Sequence, residues 1–76
     1  MYKVYFDNLL VKEIKEAGIQ AVSSDKQIKG EVVAMGKGDG KEMMFNIGDV
    51  VYFPEFEAVK FNKYYIVSQM FILVKE

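Results

Sequence analysis

"GEVVAMGKGDGKEMMFNIGDVVYFP", Gly30 to Pro54, is the stretch whose reading decides the fold. "GEVVAMG" holds a β-branched pair followed by apolar residues between two glycines, which suits a strand buried on at least one face. "GKGDGK", Gly36 to Lys41, turns, because three glycines and an aspartate permit positive φ at several positions. "NIGD", Asn46 to Asp49, is a second turn, and "VVYF" follows as a strand that ends at Pro54.

Outward from this centre the same grammar continues. "EAVKF", "KYYIV" and "MFILVKE" are short extended runs separated by "FNK" and "SQ". On the other side, Tyr2, Val4 and Phe6 alternate with Lys3 and Tyr5, so a strand is expected at the very start. "DNLLVKEIKEAG" is ambiguous by local rules. Leu10, Ile14 and Ala17 have helical spacing, Asp7 or Asn8 could cap the start, and Gly18 could end it. Short strands joined by turns, with no convincing long helix, predict an all-β fold, a small barrel or sandwich. No internal repeat is visible, and the turns are too short to hide a second unit, so residues 1–76 form a single domain.

A chain of 76 residues without cysteine buries only about 60% of the surface it exposes when unfolded. No disulfide can make up the difference, so oligomerisation is an attractive source of stability. A formal charge of −1, from ten Lys and eleven Asp or Glu spread along the chain, leaves no basic footprint for nucleic acid. The longest apolar runs, "VVYF" and "MFILV", fall far short of the ~20 residues of a membrane span. Met1 leads directly into the alternating segment, so no secretory signal is read and a cytoplasmic location is expected.

The residue inventory leaves few parts for chemistry. With neither His nor Cys, the commonest zinc ligands, the imidazole base and the thiol nucleophile are all missing. Glu55 and Glu57 would share a strand face, but they lie where surface charge is expected. "GKGDGK" lacks the Gly-Lys-Ser/Thr ending and the helix of a phosphate loop, so a plain turn is the better reading. Asp39 and Asp49 do not fit the alternating oxygen ligands of a calcium loop. Aromatic residues make up 14% of the chain, yet in "FPEFE" acids flank the rings where a stacking platform for single strands needs Lys or Arg. Core and subunit-contact roles suit these rings better. No catalytic residue, metal ligand or cofactor site is expected.

Three blocks in this order resemble the chaperonin-10, or GroES-like, co-chaperonin family. They are Gly30-Glu31-Val32-Val33-Ala34-Met35-Gly36, Ile47-Gly48-Asp49-Val50-Val51-Tyr52-Phe53 and Phe71-Ile72-Leu73-Val74. The opening "VYFDNLLVKEIKE" also looks like the family's start. Each block alone is weak; their order and spacing over nearly the whole length are specific. The resemblance replaces the locally allowed helix with a strand and implies a small irregular β-barrel that assembles as a heptameric ring. There the first strand pairs with the neighbour's last, placing Tyr2, Val4 and Phe6 near Phe71, Ile72, Leu73 and Val74. Such pairing would cover exposed sheet edges and, running head to tail, close a ring.

The resemblance also implies a function. The family's ring caps a GroEL-type chaperonin in its nucleotide-bound state and encloses non-native protein, with no catalytic activity of its own; ATP is used by the partner. Attachment is through a mobile loop, here about residues 16–29, that carries apolar residues after a glycine. Gly18 and Ile19 match that pattern. Gln20 and Ala21 intervene before Val22, so the grip of Gly18, Ile19, Gln20, Ala21 and Val22 departs from three consecutive aliphatic residues. The family's roof hairpin is reduced here to a turn at about residues 36–45, and a ring of such chains would be open at the top. This compact, divergent form would suit a virus-encoded protein. The rival reading is a stand-alone β-barrel adaptor or ligand-binding module that shares the fold without a chaperonin partner.

Overall fold

The computed structural model describes residues 3–15, 27–38, 40 and 42–76. The chain is all-β apart from two single-turn 3-10 helices. In chain order the elements are β1 (Asn8–Glu13), β2 (Gln27–Met35), β3 (Val50–Pro54), a 3-10 turn at Glu55–Glu57, β4 (Val59–Phe61), β5 (Tyr64–Ser68), a 3-10 turn at Gln69–Phe71, and β6 (Val74–Lys75). The six strands form one sheet in the order β4-β5-β1-β2-β3-β6, and every pair is antiparallel.

The expected barrel is not closed: β4 and β6 remain as two edges. The sheet is nevertheless curled. β3 and β5 stand three strand spacings apart in it, about 14 Å if it were flat. Yet the Phe53 and Tyr65 rings, one from each strand, meet edge to face with centroids 5.8 Å apart. The inner face that this curl encloses carries Leu9, Val11, Ile28, Val32, Val51, Phe53, Tyr65 and Val67, all buried. Burying a side chain such as Phe53 contributes about 1.5–3 kcal/mol.

Alternation explains most of that core. Ile28, Gly30 and Val32 point inward along β2, as do Val51 and Phe53 on β3 and Tyr65 and Val67 on β5. Gly30 allows the close approach of β1, since a Cβ there would run into the Val11 side chain and the Lys12 carbonyl. On β2 the register against β1 slips between Val32 and Ala34, which leaves Val33 as an extra residue. That bulge returns Met35 to the inner face, where it packs against the core.

β1 settles the helix-or-strand ambiguity. Leu9, Leu10 and Val11 are all buried, Leu9 and Val11 in the core and Leu10 on the opposite face. A strand buried on both sides shows a continuous apolar run instead of alternation, and that run mimicked helical spacing.

The start of the chain corrects the expectation of a strand. Residues 3–5 make no ladder, Phe6 and Asp7 form a turn, and the first strand begins at Asn8. Phe6 sits at φ 62°, which ends any extended run and throws the chain back over the outer face of the sheet. The other end departs too. "MFILVKE" is not one strand: Gln69–Phe71 turn, and only Val74–Lys75 pair, on the edge of β3. Residues 69–73 cross between the strand edges, and Ile72 packs on the core on the way. The loop expected through residue 29 is also shorter, because Gln27–Lys29 already pair with Tyr52–Pro54.

Candidate functional site

Geometry divides the predicted contact residues into three groups. Gly18, Ile19, Gln20, Ala21 and Val22, and also Tyr2, lie outside the described residues. Val4 and Phe6 lie on the outer face near the β4–β5 edge. Phe71, Leu73 and Val74 are exposed on the way to and along β6, at the opposite edge. Ile72 differs from these three, being partly buried against its own chain's core.

Near the first edge, residues 3–6 cross the outer face and leave an apolar groove of about 330 Å³. Its floor is Leu10, Ile66 and Phe61, contributed by β1, β5 and β4, and Val4, Tyr5 and Phe6 form its wall. Tyr5 and Phe6 are each 60% exposed, although both are large rings.

The turn beside this groove is held at every carbonyl. The Tyr5 carbonyl accepts from the Asn8 backbone N–H (3.3 Å) and from the Asn8 side-chain Nδ2 (3.1 Å). The Phe6 carbonyl accepts from Gly38 N–H (2.8 Å), that of Asp7 from Gln69 N–H (2.9 Å), and that of Asn8 from Gly36 N–H (3.0 Å). The Ser68 hydroxyl donates to the Asp7 carboxylate (2.9 Å) and accepts from Met70 N–H (3.2 Å), so one serine joins the turn to the 3-10 turn of residues 69–71. A bulky residue at positive φ costs about 1–3 kcal/mol, and only surroundings that over-determine it keep it there.

At the other edge, Leu73 N–H donates to the Tyr52 carbonyl and Glu76 N–H to the Val50 carbonyl, each at 2.8 Å. The Glu76 carboxylate accepts from the Tyr52 hydroxyl (2.8 Å) and lies 3.4 Å from Lys29 Nζ. The Tyr52 hydrogen bond first, then the Lys29 ammonium, holds the Glu76 carboxyl below its ordinary range. Lys75 Nζ lies 3.3 Å from Asp49, whose carboxyl is also held low, chiefly by the Asn46 N–H at 2.8 Å and then by Lys75. Lys29 stands at the foot of the 16–26 segment, and its carbonyl accepts from Ile14 N–H at 2.8 Å.

Gln69 carries a role that sequence reading did not single out. Its buried side-chain amide accepts from Met44 N–H (2.9 Å) and donates to the Glu42 carbonyl (3.1 Å), pinning the returning limb of the reduced roof. Met43 and Phe45, on that limb, pack on the core. A lone glutamine in "VSQMF" gave no periodic or motif signal for this. Among the described residues no group of three or more carboxylates could hold a metal ion.

The strands, the short turns and the 36–45 stub are the parts expected of the three sequence blocks, and they occur in the expected order. The sequence model described as "Chaperonin 10 Kd subunit" matches residues 2–76. The chain belongs to the chaperonin-10 family. Membership gives it the family's general role, that of a co-chaperonin working with a GroEL-type chaperonin as an oligomeric ring. A comparison with curated protein sequences finds no match. Among the described residues no helix is long and apolar enough to cross a membrane.

Proposed function

We propose that this chaperonin-10 chain assembles as a heptameric ring and caps a GroEL-type chaperonin in an ATP-dependent cycle, enclosing non-native protein for folding in the cytoplasm. The match to the chaperonin-10 family over residues 2–76 carries this reading. The sheet supports it, because its apolar groove and its exposed 71–74 segment lie toward opposite edges. Surfaces so placed suit a head-to-tail contact between copies, and such contacts close into rings.

In this reading Tyr2, Val4 and Phe6 of one copy meet Phe71, Leu73 and Val74 of the next, and Gly18–Val22 grip the chaperonin. A segment that orders on binding loses conformational entropy, so each grip is weak and reversible. Several grips on one ring then add through effective concentration. The chain performs no chemistry and needs no cofactor; the nucleotide belongs to the partner. With only a reduced roof, the ring is a collar open at the top.

Two measurements test this. Native mass spectrometry is expected to give about seven times the 8.7 kDa chain mass. The ring is expected to co-migrate with a GroEL-type chaperonin when ATP is present, and an Ile19→Asp, Val22→Asp double variant is expected to form rings yet lose that complex. Unchanged binding by the double variant overturns the loop assignment. A monomer at all concentrations overturns the ring and leaves the stand-alone adaptor.

A further inference from the structure

The 5–8 turn unites three features. Phe6 occupies left-handed backbone, which bulky residues avoid. All four turn carbonyls, from Tyr5 to Asn8, are hydrogen-bonded to groups of this chain, so the conformation is imposed from several sides. The two rings carried by the turn are left exposed, beside an apolar groove that they help to wall. Burying Phe6 would explain the strain as a consequence of core packing, but the ring is not buried.

We propose that the 5–8 turn is a preset docking anchor, held by Asp7, Ser68 and the Gly36–Gly38 corner so that Phe6 projects into a second copy of this chain. The inference rests on the ring reading above and assigns positioning roles within that contact. A second copy is the occupant because the same chain supplies the complement. Near the far edge of the sheet, Phe71, Leu73 and Val74 are exposed, and the outer side of β6 pairs with no other strand of the chain. Groove and β6 lie toward opposite edges, so one molecule cannot bring them together as folded, whereas two can.

The clamp explains residues that otherwise read as ordinary turn chemistry. Gly36 is buried, and a Cβ on it would run into the Phe6 carbonyl and crowd the Tyr5 backbone. Ser68 links Asp7 to the turn that leads toward Phe71, so the two contact surfaces of one subunit share a hydrogen-bonded node. A surface fixed before binding loses less entropy when it docks, which favours assembly without adding a contact.

The test compares the full-length chain with Phe6→Asn, Ser68→Ala and Ser68→Thr, reading the assembly midpoint by sedimentation and the Tm of the dissociated chain. Asparagine tolerates left-handed backbone, so Phe6→Asn keeps the turn and removes the ring. It is expected to raise the assembly midpoint by about tenfold or more, as loss of an aromatic anchor does, with Tm unchanged or higher. Ser68→Ala is expected to weaken assembly by about three- to tenfold well below its Tm, although Ser68 need touch no partner; Ser68→Thr restores it. If the wild type assembles and Phe6→Asn matches it, the anchor is overturned while the ring stands. A fall in Tm with Phe6→Asn would make the ring side chain structural and overturn the anchor as well. A wild type that never assembles overturns both.

Discussion

The 5–8 turn and the 73–76 segment both present apolar side chains at the margins of one sheet, yet they are held in opposite ways. The turn is tied through buried or half-buried partners: Gly36, Gly38, Ser68 and Gln69 reach it from two separate parts of the chain. The 73–76 segment has two backbone hydrogen bonds outside its short ladder and ion pairs that stand open to solvent. Exposed ion pairs contribute little, because water screens them and the side chains lose freedom in making them. A head-to-tail contact built from these surfaces joins a rigid anchor to a compliant strand, so the anchor fixes geometry and the strand adapts to it.

The largest expected effect removes the support common to both. Phe53→Ala opens a cavity where β3 and β5 meet and should cost about 3–5 kcal/mol, seen as a large fall in Tm. Amide exchange should then accelerate at the turn and at β6 together. Gln69→Ala separates them. It leaves the Met44 N–H and the Glu42 carbonyl without their partner and should cost about 1–3 kcal/mol. Faster exchange is expected at Met44 with little change at Leu73 and Glu76; equal acceleration at all three would show one cooperative unit and erase the contrast.

Acid should act mainly on the 73–76 segment. Glu76 and Asp49 have folded pKa values below their ordinary 4.5 and 3.8. Depressed carboxylates contribute stability above the ordinary values, and that contribution is lost as pH falls through the lower folded ones. Below about pH 4, then, β6 amides are expected to lose protection before the turn does. Base acts on the shared core instead. Burial, then the nearby carboxylates Glu13 and Glu55, raises the Tyr65 phenol above 10.0, so its contribution is present below pH 10.0 and is lost as pH rises through the folded value. The smallest effect is expected from Glu76→Gln, which should leave Tm nearly unchanged and shift only Tyr52 and Lys29 resonances; a drop in Tm comparable to that of Gln69→Ala would mean the tail is as firmly built in as the turn.

Much of the sheet was legible from residue order alone. Alternation and turn chemistry located the strands ending at Met35 and Pro54 and the run Tyr64–Ser68, because each has one buried face. Misreadings came where a second physical constraint overrode that period. Leu9–Val11 read as partly helical because the outer face of β1 is covered as well. Tyr2, Val4 and Phe6 alternate by composition, but the chain reverses at Phe6 through backbone conformation, which no side-chain pattern encodes. Ile72 read as part of an exposed contact and instead packs on its own core, since residues 69–73 span the gap between strand edges. Ser68 and Gln69 act through single hydrogen bonds to distant backbone, and such bonds leave no periodic trace. Phe71, Leu73 and Val74 were named from the family resemblance and are exposed, as partner-facing residues must be.

Gln69 and the Gly36–Gly38 corner have a consequence for how this architecture varies. One fastens the descending limb at Glu42 and Met44, and the other fastens the ascending limb at Gly36 and Gly38. Whatever joins Gly38 to Glu42 is therefore decoupled from folding. Its length adds only slowly to the cost of closure, by about 0.6 kcal/mol per doubling. The position is a natural splice point, where a longer hairpin, a peptide tag or a whole small domain can be exchanged while the sheet below keeps its register.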